Sequence, residues 1–316
     1  MPRTFLITGG AGFIGSSIAR ALLLRGDKVR ILDNLSSGKR SNLADIDGQI
    51  EFIEASVVDT KALSAAMAGV DTVYHEAAIP SVPRSVAEPV PSHEANATGT
   101  LCVLEAARTA KVRRVVYAGS SSAYGETPTL PKIETMPCSV LSPYAASKLA
   151  GEQYCQVWSK CYGLQTVVLR YFNVFGPRQD PQSQYAAVVP KFITAALRDE
   201  APVIYGDGLQ SRDFCFIDNV IEANLKAADA QGVSGQVFNV ACGEATTLLE
   251  VVAAVGKLLN KSLVARHEPA RAGDIKHSLA DIAKAKSMLG YTAQVTFAEG
   301  LRRPLDWYRQ QGSQHT

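Results

Sequence analysis

Several things are missing from this chain, and each absence narrows its role. Lys and Arg together number 32 against 30 for Asp and Glu, a formal net charge of +2. That balance gives no electrostatic case for nucleic acid or anionic membranes as partners. No apolar run approaches the ~20 residues of a membrane span, and the N-terminus MPRTFLITGG runs at once into a strand-like stretch and a glycine turn. With no room for a signal peptide, the expected location is the cytoplasm. The 6 cysteines, at positions 102, 138, 155, 161, 215 and 242, form no CxxC pair and no metal-ligand spacing. They read as reduced, packing thiols, and no metal is expected. There is no internal repeat and no low-complexity segment. What remains is an ordinary globular composition, 47% hydrophobic over 316 residues, enough for one large domain or two unequal ones.

Short β-branched or apolar runs alternate with helical patterns through the first half: TFLIT, KVRILD, IEFIEA, TVYHEA, RRVVYAGS and TVVLRYFNVFG. Such alternation implies right-handed βαβ units, hence an α/β fold with a doubly wound parallel Rossmann sheet. Helices are expected over 14–26, 60–68, 92–110 and 144–162, the last opened by Ser142-Pro143 as a start signal. From about Gly176 the loops lengthen and become rich in Pro, Gly, Asp and Gln, with helices near 187–199, 218–230 and 247–260. The expected division is a dinucleotide-binding domain over 1–175, to which some later segments return, and a smaller C-terminal α/β substrate-binding domain over 176–316.

The first run ends in Gly9-Gly10-Ala11-Gly12-Phe13-Ile14-Gly15, which fits GxGxxG from Gly10 and GxxGxxG from Gly9. Glycines there let the turn be tight and let the backbone approach a pyrophosphate at a helix N-terminus. Asp33 closes the second run at roughly the 20-residue distance where an acid binds a ribose 2′-OH. An acid at that place repels the extra phosphate of NADP, so NAD is the expected cofactor. Lys39 and Arg40 are the nearby cations that could instead hold such a phosphate.

Tyr144 and Lys148, four apart in SPYAASKLAGEQY, fall on one helix face. A lysine ammonium favours the phenolate of a neighbouring tyrosine, so Tyr144 is expected to have a lowered pKa and to act as a base near neutral pH. The order of glycine turn, apolar strand ending in Ser120-Ser121-Ser122, then YxxxK resembles the extended short-chain dehydrogenase/reductase family over nearly the whole chain. The resemblance implies that Ser120 hydrogen-bonds the reacting sugar hydroxyl, that Lys148 holds the nicotinamide ribose, and that Asn34, Ser56, Val57 and Ala77 join the glycines, Phe13, Ile14 and Asp33 around NAD. In family dehydratases and decarboxylases, acids follow the serine position. A hydroxyl cannot act as a general acid with a carboxyl's pKa, so Ser121 and Ser122 point to oxidation and re-reduction of one carbinol, which is epimerisation.

Downstream stretches resemble the UDP-hexose 4-epimerases, especially the branch acting on N-acetylated sugars. HEAAIPSVPRSVAEP implies Ser81 and Arg84 near the reacting groups. LRYFNVFGPRQDP implies Asn173 and Gln179 at the sugar diphosphate, and AAVVPKFI implies Val189 and Lys191 around uracil and ribose. SRDFCFIDNV offers Arg212, and PARAGDIKHSLADIAKA offers Arg271 and Asp274, to phosphates and ribose; an arginine fork suits two phosphate oxygens at once. Ser278, seven residues beyond Arg271, stands where a bulky tyrosine would exclude an acetamido group, so UDP-GlcNAc and UDP-GalNAc are expected to fit alongside UDP-glucose. Two departures stand out. Ser56 replaces an acid that holds adenine in relatives, and Pro80 replaces a glycine beside the sugar. The remaining alternatives are UDP-glucuronate 4-epimerisation with Arg84 as the cation, a dehydratase or decarboxylase, and an NAD-sensing regulator. Helices 92–110 and 144–162 correspond to those that build a four-helix bundle in relatives, so a homodimer is expected.

Overall fold

A computed structural model describes residues 2–181, 187–270 and 276–313. Six strands come from the first half: β1 (Thr4–Thr8), β2 (Lys28–Asp33), β3 (Ile50–Glu54), β4 (Thr72–His75), β5 (Arg114–Ser120) and β6 (Gln165–Tyr171). A seventh, Gln236–Val240, returns from the second half to pair with β6. The order along the 7-stranded sheet is seventh strand, β6, β5, β4, β1, β2, β3, and every pairing in it is parallel. The doubly wound fold expected from the alternating runs is the fold observed. The order reverses between β1 and β4, and the crevice outside the carboxyl ends of those strands is where such sheets bind ligands.

Alternation of side chains across the sheet explains its two apolar faces. Phe5, Ile7, Val116 and Ala118 pack into one core with Ile18 and Leu22 of helix α1 (Phe13–Leu24) and with Val220, Leu301 and Leu305 from the second half. Leu6, Val73, Val115 and Tyr117 face the other way, onto Leu63, Val103, Leu104 and Cys155. Each such fully buried Leu, Ile or Phe contributes about 1.5–3 kcal/mol. All 6 cysteines are free thiols.

Two elements depart from the expected pattern. The helix foreseen over 92–110 is built in pieces: a short helix Pro89–His93, a wide π turn Glu94–Thr98, and the helix Gly99–Thr109. A Cβ on Gly99 would come within 2.6 Å of the Val57 side chain, so this helix lies hard against the end of β3. The run TVVLRYFNVFG also breaks. Its strand ends at Tyr171, Asn173 adopts φ 23°, and Val174–Phe175 pairs instead with Cys215–Phe216. Beyond it, Ser211–Arg212 pairs with Thr246–Thr247 and Val203–Tyr205 with Arg266–Glu268. Between these short ladders lie the helices Val188–Leu197, Ile217–Asp229 and Leu248–Leu259, close to the expected spans. Among the described residues no helix is long and apolar enough to cross a membrane.

Candidate active site

The glycine turn is defined by contacts that admit no side chain. A Cβ on Gly15 would sit 2.4 Å from the Gly9 carbonyl oxygen, and one on Gly9, at φ +71°, would sit 2.6 Å from the Ala77 nitrogen. The turn therefore packs against both α1 and the chain leaving β4. At Gly12, which starts α1, no side chain caps the helix, and its first turn carries no acid. Those backbone N–H groups and the positive end of the helix dipole suit a phosphate.

Asp33 is buried, accepting from Ala11 N at 2.9 Å and Leu35 N at 2.8 Å. Burial raises its pKa, against the two backbone donors. Both candidate 2′-phosphate cations are engaged elsewhere: Lys39 pairs with Asp180 at 2.7 Å, and Arg40 pairs with Asp47 while covering the Phe52 ring. A carboxylate at the ribose position, with both nearby loop cations already paired, fits NAD. Ser56 Oγ accepts from Val58 N at 3.4 Å. Asp59, the next acid along, caps the helix Thr60–Ala66 through Lys61 N and Ala62 N, so it does not substitute for the acid missing at 56.

These elements border a cleft of about 2160 Å³. Gly9, Gly12, Phe13, Ile14 and Gly15 line it, with Asp33, Asn34, Ser56, Val57 and Ala77. So do Pro80, Ser81, Arg84 and Gln179. Ser81 caps the helix Val82–Ala87 through Arg84 N, and the Arg84 guanidinium pairs with Glu88 at 3.2 Å. A second cavity of about 250 Å³ is lined by Asn173, Val189, Lys191 and Arg212 with the aromatic rings of Phe192, Tyr205 and Phe214. Val174 and Ala187 border both spaces, so they adjoin. Asn173 Nδ2 donates to Asp213 O at 3.2 Å, and Arg212 Nη1 donates to Ser211 O and Lys276 O. Ser278, half-buried, reaches the same strand through its N–H on Ser211 O at 3.0 Å. Arg271 and Asp274 lie outside the described residues.

Ser120, Tyr144 and Lys148 come together at the carboxyl end of β5. The Ser142 hydroxyl accepts from Ala145 N at 3.1 Å and Pro143 occupies the first turn of the helix Pro143–Tyr162, as expected. A buried ion pair, Arg170 with Glu152 at 2.5 Å, fixes that helix to β6. Ser120 Oγ meets Ser122 Oγ at 2.8 Å and accepts from Ser122 N at 3.2 Å. The turn they form ends at Gly125, where φ is +58° and a Cβ would lie 1.6 Å from the Ser139 carbonyl oxygen. Only glycine can stand after Tyr124.

The Lys148 side chain is 3% exposed, with Nζ 4.4 Å from the centre of the Tyr117 ring. Burial lowers its pKa, with the Glu76 carboxylate the main opposing influence. Tyr144 differs from expectation. Burial raises its phenol pKa, Ser120 opposes through a hydrogen bond, and Lys148 is not among the causes of the shift. Desolvation outweighs the serine's hydrogen bond.

Several positioning residues escaped the sequence reading. The Tyr144 N–H donates to Ser85 Oγ at 3.0 Å, and Asn96 joins Ile79 N at 2.8 Å to Ser147 Oγ at 3.0 Å, so the loop after β4 holds the start of the Tyr144 helix. His75 bridges Thr8 Oγ1 at 2.7 Å and Thr100 Oγ1 at 3.0 Å. Thr100 spends its proton on Asn96 O. His75 Nε2 must therefore donate and Nδ1 accept from Thr8, which fixes one neutral tautomer. Burial keeps it neutral, its pKa pushed down to about 3. Asp213 ties the Arg212 strand to three backbone donors, Cys242 N, Gly243 N and Ala280 N, and burial pushes its pKa up to about 6. None of these has a signal in its neighbours along the chain, because every partner is distant in sequence.

Comparison with known proteins agrees with this geometry. Residues 5–241 match the NAD dependent epimerase/dehydratase family. A UDP-glucose 4-epimerase of Mycolicibacterium smegmatis is 39% identical over 309 residues, 96% of this chain and 98% of that one. Among solved structures, a UDP-N-acetylglucosamine 4-epimerase from Methanobrevibacter ruminantium in complex with UDP-N-acetylmuramic acid superposes with a TM-score of 0.94 at 40% identity, covering 98% of this chain and 99% of that one. A UDP-glucose 4-epimerase of Thermus thermophilus in complex with NAD gives a TM-score of 0.88 at 37% identity, covering 97% and 99%.

Proposed function

The chain belongs to the NAD dependent epimerase/dehydratase family and is an NAD-dependent UDP-sugar 4-epimerase, and from that premise we propose that it interconverts UDP-GlcNAc and UDP-GalNAc, accepting UDP-glucose and UDP-galactose as well. The observation that carries the reading is the mouth of β5: Ser120 hydrogen-bonds Tyr144, and the next two residues, Ser121 and Ser122, are hydroxyls where an elimination or decarboxylation would need an acid. When bound, NAD supplies the acceptor and donor of the C4 hydride. Tyr144 takes the proton of the 4-hydroxyl and later returns it, and Ser120 orients that hydroxyl. Lys148 holds its positive charge beside the phenol and the ribose. Arg212 and Arg271 anchor the diphosphate, Asn173, Gln179, Val189, Lys191 and Asp274 surround the nucleotide, and the 4-keto sugar turns within the cleft near Ser81 and Arg84. The reading assigns residues 1–175 mainly to the cofactor and 176–316 mainly to the UDP-sugar.

Ser278 supports the acetamido assignment because its side chain is small. Two chains are proposed to pair through the helix Pro143–Tyr162, whose Val157 and Tyr162 stay 43% and 54% exposed. Light scattering that gives the mass of a single chain would contradict that pairing. For substrate, the test is C4 inversion by proton NMR with UDP-GlcNAc, UDP-glucose and UDP-glucuronate separately. Comparable or faster turnover of UDP-GlcNAc supports the reading, whereas inversion of UDP-glucose alone would shift suspicion to Pro80.

A further inference from the structure

Glu76 is an acid among the residues of the large cleft that the mechanism above does not use. It follows the last residue of β4, with its N–H on Thr8 O at 3.0 Å, and its backbone borders the glycine turn: a Cβ on Gly9 would come within 2.8 Å of its carbonyl carbon. The residue lines the large cleft, and its Oε1 accepts from the Tyr171 hydroxyl at 2.8 Å. The donor direction in that bond is settled by a third residue, because Asn224 Nδ2 donates to the Tyr171 oxygen at 2.8 Å and to Val220 O at 2.8 Å. Tyr171 thus hands its proton toward Glu76; burial pushes the Glu76 carboxyl up to about 7, opposed by this bond and by the charge of Lys148, so the group changes charge around neutral pH. Tyr171 is the register partner of Ser120, so the carboxylate reaches across the sheet's carboxyl edge toward the strand that flanks the reacting serine.

The neighbourhood is poor in other charge. His75 from β4 is neutral. Tyr117 from β5, Tyr171 from β6 and Cys155 from the Lys148 helix are held protonated by burial, as is Tyr144. Glu152, on the same helix, is consumed by Arg170. Among the described residues Glu76 is therefore the acid that Lys148 acts on: the ammonium lowers the carboxyl's pKa and the carboxylate raises the lysine's. A buried ammonium without a counter-charge is strongly disfavoured, and a cationic nicotinamide beside it would add repulsion.

We propose that Glu76 is a positioning residue that supplies the negative charge balancing Lys148 and the oxidised cofactor at the cleft floor, so that the site favours NAD⁺ over NADH and keeps Lys148 protonated. This rests on the cleft being the NAD site. The key variant is Glu76→Gln, which keeps an acceptor for Tyr171 and removes only the charge. Its readout is the ratio of Kd for NAD⁺ to Kd for NADH, measured by calorimetry without sugar. The ratio is expected to rise about three- to tenfold, the scale of one partly screened charge interaction. Glu76→Asp is expected to restore most of it.

In the pH profile of kcat/KM, loss of the carboxylate removes an influence that raises the lysine's pKa, so the alkaline limb moves to lower pH in Glu76→Gln. Should that variant fail to fold, the wild type carries the same test: lowering the pH so that Glu76 takes up a proton must weaken NAD⁺ relative to NADH. An unchanged ratio in Glu76→Gln, or a wild-type ratio independent of pH, overturns the inference. Failure of the wild type to bind either nucleotide would instead overturn the reading of the cleft.

Discussion

The two ends of the cleft are finished to different degrees. At the cofactor end, Gly9 and Gly15 touch backbone atoms that leave no space for a Cβ, and Asp33 already accepts two backbone hydrogen bonds. Toward the proposed nucleotide-sugar end, two side chains have buried polar atoms to spare. Gln179 Oε1 and Gln210 Oε1 are buried without a partner although each amide nitrogen donates, to Val174 O and Tyr205 O. Unmet buried acceptors cost about 1–3 kcal/mol each, and a bound nucleotide sugar would recover part of that. One end is shaped in advance by backbone; the other is completed by what it binds.

That contrast can be broken at its centre or at either end. The largest effect is expected between the two, at Tyr144: Tyr144→Phe should lower kcat about 10²–10⁴-fold, the usual worth of a general base, while NAD affinity measured by calorimetry stays near wild type. At the sugar end, Ser278→Tyr should cut kcat/KM for UDP-GlcNAc roughly 10–200-fold, as a pocket that loses room for one substituent does, with UDP-glucose turnover little changed. A uniform loss on both sugars would remove Ser278 from the specificity argument.

At the cofactor end, Asp33→Asn keeps an acceptor and removes the charge, and NAD should bind about tenfold more weakly. The pre-shaped turn should nonetheless persist, with the melting temperature falling by only a few degrees. The smallest effect is expected at Lys39, more than half exposed in its pair with Asp180. Lys39→Ala should change stability by less than ~1 kcal/mol and leave NAD affinity unaltered in a titration. A strong loss there would mean the cofactor end is held by side chains after all.

Legibility in the sequence follows the same division. Strands β1 to β5, the glycine turn and the Ser142-Pro143 helix start are encoded by neighbours in the chain, and the expected elements appear close to where they were read. The π turn at Glu94–Thr98 is not readable in the sequence, because Gly99 must approach Val57, in the turn after β3 and distant along the chain. The break of the sixth run at Asn173 arises where the chain leaves the sheet to pair with Cys215–Phe216. In the sequence Glu76 is one letter of a loop, since the groups that give it meaning, Tyr171 and Lys148, come from β6 and from the helix beyond β5. The lowered phenol pKa was expected from the four-residue spacing alone, and burial reverses its sign in the protein without ligand. Spacing reports which groups share a face; it says nothing of how dry that face is.

The most direct test of the account follows one hydrogen atom. UDP-GlcNAc carrying deuterium at C4 is incubated with the purified protein in ordinary water, and the UDP-GalNAc formed is examined by NMR. Removal and return of that hydrogen within one closed site predicts product with deuterium retained at C4. Product with C4 protonated from solvent would contradict it, because the carbon would then have exchanged its hydrogen through an acid or base rather than had it handed back.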